Sequence, residues 1–215
     1  MRYYPIYLDL RGRNALVVGG GAIAEGKAIQ LVEAGARVTV VSPALTEALR
    51  GLVEIGEINH RGGCFVTEDL NGMVLVISAT DDRKVNEAVA LAAARRGLLC
   101  NVVDQPDLCN FITPALVTRG ELQISVSTGG GSPTLTQRVK REVAALISDE
   151  YGALLELAAK MRAEAKDRIA DFERRKNALR AFVESEAIDL IRAGKREEAQ
   201  ALARRFLQEV EREEK

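Results

Sequence analysis

Asn14 to Lys27 read NALVVGGGAIAEGK, and this stretch decides the fold. Ala15 to Val18 form a short apolar run of the kind a buried strand requires, Gly19 to Gly21 a turn, and Ala22 onward an amphipathic helix. The spacing Gly19-x-Gly21-x-x-Ala24 is that of the phosphate-binding fingerprint of dinucleotide folds. In such a turn Gly19 permits the sharp change of direction, Gly21 lets a pyrophosphate approach the backbone, and Ala24 keeps helix and strand close. The unpaired amides and positive dipole end of the helix then face the phosphates. Gly19, Gly21, Ala22 and Ile23 are therefore candidate cofactor-binding residues. A glycine triplet alone is compatible with an ordinary tight turn; the flanking strand and helix favour the cofactor.

Working outward, the helix repeats apolar residues at Ala24, Ala28, Leu31 and Val32 and is expected to stop at Ala34 with Gly35 as its C-terminal cap. Arg37 to Val41 is a second buried strand, which completes a parallel βαβ unit with a right-handed crossover. An Asp or Glu at the end of this strand usually grips the adenosine ribose. Here Ser42, Pro43 and Ala44 stand in that place and are the next cofactor candidates. Ser42 can bond a ribose hydroxyl, or it can cap a helix over Leu45 to Val53. No Arg follows to meet a 2′-phosphate, which favours NAD over NADP. Upstream, Tyr3 to Leu10 reads as a short strand or an extended arm.

Strands are further expected at Glu57 to His60, Met73 to Ala79 and Leu98 to Val103, with a helix from Lys84 to Arg96. The alternation predicts an α/β fold with a Rossmann-type parallel sheet over residues 1–112. Ligands of such sheets lie beyond the carboxyl ends of the strands, which adds Thr80 and Asp81 to the cofactor candidates and brings in Asp104. His60 falls on the weakest strand without an acidic or cysteine companion and receives no catalytic role. Phe111 to Arg119 and Leu122 to Ser127 predict a hairpin, followed by a glycine loop in which Ser132 caps a helix beginning at Pro133. This small α+β segment, 113–147, is read as a dimerisation and substrate segment. From Ser148 the composition turns charge-rich with helical periodicity, predicting a helical C-terminal domain over 148–215.

The net charge of −1 over 215 residues calls for neither nucleic acid nor an anionic membrane as partner. No apolar run is long enough for a membrane span, and MRYYPIYLDL lacks the core of a signal peptide, so a cytoplasmic location is expected. Cys64, Cys100 and Cys109 lack CxxC spacing and have His60 alone as an imidazole companion, which argues against disulfides and against a metal site.

Six elements together carry a resemblance: PIYLDLRGR at Pro5 to Arg13, VVGGGAIAEGKA at Val17 to Ala28, SATDDRKVN at Ser78 to Asn86, NVVDQP at Asn101 to Pro106, FITPA at Phe111 to Ala115, and STGGGSPTL at Ser127 to Leu135. In this order they resemble the precorrin-2 dehydrogenase family, the N-terminal module of siroheme synthases, some of whose members also act as sirohydrochlorin ferrochelatases. The resemblance implies NAD-dependent oxidation of precorrin-2 to sirohydrochlorin, with Asp104 as the principal catalytic residue, and a homodimer built through the segment after the nucleotide domain. It also implies substrate contacts by Asn101, Phe111, Thr128, Gly129, Gly130 and Ser132. Without a second glycine-rich methyltransferase module the sequence resembles the stand-alone form of the family, and its precorrin-2 is then expected to come from a separate methyltransferase.

The residues are compatible with that chemistry. Desaturating a reduced tetrapyrrole sends a hydride to the nicotinamide and a proton to a base, and Asp104 at a strand's carboxyl end is placed to be that base. If iron is inserted as well, the same carboxylate can take pyrrole protons. The alternative is that Asp104 caps the turn before Pro106. The glycine loop at Gly129, with Arg119, Arg138, Lys140 and Arg141, can meet the substrate's carboxylates, or it can be a hinge into a dimerisation helix. A nucleotide-sensing regulatory module is the reading from another class; it would need Gly19 to Ala24 but not Asp104.

Overall fold

The computed structural model describes residues 2–212, which divide between 113 and 114 into two compact units. The first is built on strands β1 (Asn14–Val18), β2 (Arg37–Ser42), β3 (Ile58–Gly62), β4 (Leu75–Ser78) and β5 (Leu99–Val102), all parallel, in the order β3-β2-β1-β4-β5. Helices α1 (Ala22–Glu33), α2 (Glu47–Glu54) and α3 (Arg83–Arg95) connect them. The predicted Rossmann-type sheet is the sheet observed. Because alternate residues of a strand face opposite sides, β1 feeds two cores. Ala15 and Val17 pack with Ala24, Ala28 and Leu31 of α1 and Leu49 of α2, while Leu16 and Val18 pack with Val89, Ala92 and Ala93 of α3.

Gly35 ends α1 as its sequence position suggested. Its φ is +78°, its N–H donates to the Val32 carbonyl, and Ala36 N–H donates to Leu31, the paired bonds of a Schellman cap. Of two other readings, one is narrowed to one of its alternatives and one is corrected. Tyr3 to Leu10 forms no strand and is an extended arm, with Tyr4 81 % exposed, that ends in an Asp9–Arg11 ion pair. The predicted strand from Phe111 is shortened to β6 (Ala115–Arg119), because Pro114 has no N–H to give a ladder and the Phe111 carbonyl is already bonded by Asn101.

In the second unit β6 pairs with β7 (Leu122–Val126) in a hairpin whose turn is Gly120-Glu121. Helix α4 (Pro133–Leu146) follows, then α5 (Glu150–Arg168), α6 (Phe172–Val183), α7 (Ala187–Arg192) and α8 (Arg196–Arg212). The last four enclose a core around Leu157, Met161, Phe182, Leu202 and Leu207. Arg119, a candidate partner for substrate carboxylates, is engaged elsewhere. Its guanidinium donates to the carbonyls of Ala144, Ile147 and Thr118 and pairs with Asp149, which closes the C-terminal end of α4. Arg138 pairs with Glu142 one turn further along the same helix.

Candidate functional site

The strand order reverses between β1 and β4, and the glycine turn leaves the carboxyl end of β1 at that switch point, where open parallel sheets bind ligands. Its three glycines have different surroundings. A Cβ on Gly19, whose φ is +121°, would lie 2.3 Å from the Ala79 carbonyl oxygen, and one on Gly20 would lie 1.9 Å from that of Ala44. Around Gly21 nothing stands within 4 Å of that position. Gly19 and Gly20 thus serve the packing of three strand ends against one another, while Gly21 faces open space. Gly21 is the N-cap of α1 and supplies no side-chain acceptor, whereas Thr46 and Asp82 cap α2 and α3 with their side chains. The first amides of α1 are therefore left for an anion. This cradle fits the pyrophosphate of a dinucleotide.

A crevice of about 440 Å³ opens in front of it. Gly19, Gly21, Ala22, Ile23, Ser42, Pro43, Thr80 and Asp81, all cofactor candidates from the sequence, line it; Ala44 does not. Ala44 instead backs the turn, with its carbonyl against Gly20. Ser42 is not the N-cap of α2. Thr46 Oγ1 accepts the Leu49 amide in that role, while Ser42 Oγ donates to the Ala44 carbonyl at 2.6 Å and accepts its N–H at 3.3 Å. With the hydroxyl proton engaged, a lone pair is what Ser42 can still offer a ribose. His60 Nε2 donates to the Ser42 carbonyl at 3.0 Å, a structural role on a strand.

Gly63, Cys64 and Phe65 also line the crevice; the sequence pattern of β3 stops at His60 and so does not point to them, whereas the strand runs on to Gly62. Their loop is held by Arg61, whose guanidinium forks onto the Asp69 carboxylate and donates to the Cys64 carbonyl. That fork holds the Arg61 guanidinium more firmly protonated than usual. Among the described residues no Lys or Arg lines the crevice, and the Arg61 guanidinium is held by Asp69, so none of them is disposed to favour a 2′-phosphate.

Asn86 is the other residue missed. It is 1 % exposed, its Oδ1 accepts from Ser78 Oγ at 2.7 Å, and its Nδ2 donates to the Thr80 carbonyl at 3.0 Å. It fixes the turn that presents Thr80 and Asp81 to the crevice. The signal was present as an amide on the buried face of a helix, where an apolar residue is the ordinary choice. Asn86→Leu keeps the branching of the side chain but adds volume and leaves the buried Ser78 hydroxyl unpaired, so it should lower unfolding free energy in urea by about 1–3 kcal/mol. Unchanged stability would remove Asn86 from the framework of the site.

Asp104 lies just beyond β5, whose next residue, Val103, donates its N–H to Ser78 of β4. It is exposed, with φ +59°, and is the third residue of a turn closed by the bond from Gln105 N–H to the Val102 carbonyl. A turn of this sense takes Gly or Asn at that place, so turn chemistry does not account for Asp. β5 is the sheet edge, and its outward polar groups are covered by the chain that returns beside it. Asn110 bonds Cys100 N–H, Cys100 carbonyl and Leu98 carbonyl, and the Cys109 sulfur meets Val102. Asn101 and Phe111, both substrate candidates, come together: Asn101, 8 % exposed, donates to the Phe111 carbonyl at 3.1 Å. Burial, with Cys109 nearby, raises the Cys100 thiol to about 11 and keeps it protonated at neutral pH.

Thr128, Gly129, Gly130 and Ser132 belong to the second unit. Ser132 Oγ accepts the Leu135 amide as the predicted N-cap of α4, and Thr128 Oγ1 accepts the Ser132 amide at 3.0 Å. Gly129 and Gly130 have φ of +64° and +87°. The loop is thus a structured turn rather than a loose hinge, with both hydroxyls serving its own geometry.

Comparison with known proteins agrees with this architecture. An NAD(P)-binding family model matches residues 6–115, a sirohaem biosynthesis protein central model 119–146, and a sirohaem synthase dimerisation region model 150–207. The dimerisation region so matched lies on helices α5 to α8, C-terminal to the 113–147 segment expected to hold it. The siroheme synthase of Nitrosomonas eutropha is 39 % identical over 201 residues, 93 % of this chain and 42 % of that protein. That of Methylobacillus flagellatus is 44 % identical over 176 residues, 82 % of this chain and 38 % of its own length. The chain thus spans about two fifths of these relatives. Among solved structures, SirC, a precorrin-2 dehydrogenase, superposes with a TM-score of 0.78 at 27 % identity, covering 98 % of this chain and 100 % of that one. From the glycine turn to the last helices, the chain belongs to the siroheme synthase N-terminal family, with an NAD(P)-binding module at its head.

Proposed function

We propose that this protein is an NAD-dependent precorrin-2 dehydrogenase that forms sirohydrochlorin in siroheme biosynthesis. The observation that carries the proposal is the likeness to SirC over the full length of both chains. The residues support it. Gly19, Gly21, Ala22 and Ile23 would hold the pyrophosphate, Ser42 and Pro43 the adenosine side, and Thr80 and Asp81 the side towards β4, with Ala44 backing the turn. NAD, when bound, supplies a hydride acceptor. What the chain must add is a base for the proton released from the substrate carbon, and Asp104 is an exposed carboxylate at the strand end beside β4. Asn101 and Phe111, joined by their hydrogen bond, would be further substrate contacts. Thr128, Gly129, Gly130 and Ser132 offer the substrate's carboxylates a helix N-terminus, with Lys140 and Arg141 as cations on the same helix. Accumulation of sirohydrochlorin from precorrin-2 only when NAD is present tests the assignment; product formed equally without NAD would refute it.

Two further outcomes are expected. Cys64 is exposed and lines the crevice, whereas Cys100 is buried and protonated, so iodoacetamide should label Cys64 first. NAD should slow that labelling, and at lower concentration than NADP, read by mass spectrometry of the peptide. Labelling indifferent to NAD would place the cofactor elsewhere.

The second outcome is a homodimer working in the cytoplasm. Helix α4 buries none of its residues, and Leu116, Leu135 and Leu146 are 43 %, 49 % and 76 % exposed. The dimerisation region matched at residues 150–207 supports a second copy, and the apolar positions on the hairpin and its helix are further surface for it to cover. Light scattering should give twice the chain mass, and a monomer at micromolar concentration would contradict this.

A further inference from the structure

Asp104 is the one residue other than glycine with a positive φ among the described residues. Its Cβ makes the left-handed region unfavourable, and its turn, Val102 to Gln105, is closed by one long bond of 3.3 Å. Something outside the turn must hold it in place. The Cys109 sulfur is positioned to do so: it accepts the Val102 N–H at 3.1 Å and lies 3.2 Å from the Val102 carbonyl and 3.3 Å from that of Gln105. A single S–H therefore sits between the carbonyls at the two ends of the turn that carries Asp104. Val102 N–H points away from the sheet, since its neighbour Val103 is the one bonded inward to β4, so this amide depends on the sulfur.

We propose that Cys109 is a positioning residue for Asp104: its half-buried thiol ties the two ends of the turn together and keeps the carboxylate in the left-handed geometry from which it acts as base. The inference rests on the assignment of Asp104 as base made above. Cys109 itself performs no step of the reaction. A hydroxyl in its place can still accept from Val102 and donate to a carbonyl, whereas a methyl group can do neither.

The test compares Cys109→Ala and Cys109→Ser in precorrin-2 oxidation. Cys109→Ala should lower kcat by about tenfold to 10²-fold with KM for NAD unchanged, because misplacing a base by a fraction of an ångström is felt in the chemical step and the glycine crevice is untouched. Cys109→Ser should recover most of the rate. An unchanged kcat in Cys109→Ala, or a KM for NAD that rises as far as kcat falls, would overturn the proposal. A second readout needs no activity. In an Asp104→Gly background the left-handed backbone carries no Cβ penalty, so Cys109→Ala should lower Tm less than it does beside Asp104; an equal fall in both backgrounds would overturn the coupling. Should Cys109→Ala alone fail to fold, folding of the Cys109→Ala/Asp104→Gly double variant supports the proposal and its failure refutes it. An inactive Asp104→Asn beside a fully active Cys109→Ala dismisses Cys109 alone, whereas a fully active Asp104→Asn dismisses the base itself.

Discussion

Asp104→Asn is expected to bind NAD normally and to lose on the order of 10²-fold or more in dehydrogenation rate, the range for removal of a general base. The backbone makes this substitution unusually clean. Asp104 occupies the left-handed region at φ +59°, where Asn is at least as comfortable as Asp, and it stands at a turn position that favours Asn. The variant should therefore fold at least as well as the native chain, so that lost turnover reports lost proton transfer. If Asp104 served the turn alone, Asn would be a neutral or improving change. Near-native kcat, with unfolding midpoint and NAD affinity also near native, would remove Asp104 from the chemistry.

The second large effect separates neighbouring glycines by consequence. Gly21→Val places a side chain in open space, so the sheet should keep its Tm while calorimetry records a loss of NAD affinity on the order of 10²-fold, from the volume intruding on the pyrophosphate. Gly20→Ala should do the reverse. Its Cβ would stand 1.9 Å from the Ala44 carbonyl oxygen, in a loop tied back by the bond from Thr46 N–H to Gly20, and relief requires backbone movement. A loss of about 3 kcal/mol or more in stability is expected. Equal effects of the two substitutions on both measurements would contradict the division of labour in the turn.

Much of this arrangement was legible in the sequence, because the residues concerned act through local pattern. ALVV bounded by glycine and followed by a 3.6-residue periodicity admits little besides strand, turn and helix, and the same holds for MVLVISA and LLCNVV. Gly35 and Ser132 mark helix ends through backbone rules that depend on a few neighbours. What was not legible depends on contacts between distant segments. Ser42 bonding Ala44, with Thr46 as the cap, follows from the packing of that loop on Gly20. Gly63 to Phe65 reach the crevice because β3 runs two residues further than its own apolar pattern suggests, held in register by β2. The contacts of Asn86 with the Ser78 hydroxyl and the Thr80 carbonyl, and of Cys109 with Val102 and the Gln105 carbonyl, form only where the folded turns bring those groups within reach. The left-handed backbone at Asp104 has no signature at all, since NVVDQP names an Asp where the conformation would ask for Gly or Asn.

In the proposed reaction, oxidation of a reduced tetrapyrrole is coupled to reduction of NAD. The direct measurement is to mix purified protein anaerobically with precorrin-2 and NAD and to follow NADH and sirohydrochlorin together. Both are expected to appear in equal amounts, at a rate that falls on the order of 10²-fold in Asp104→Asn while NAD binding is retained. NAD bound but not reduced, with precorrin-2 left unchanged by the native protein, would contradict it.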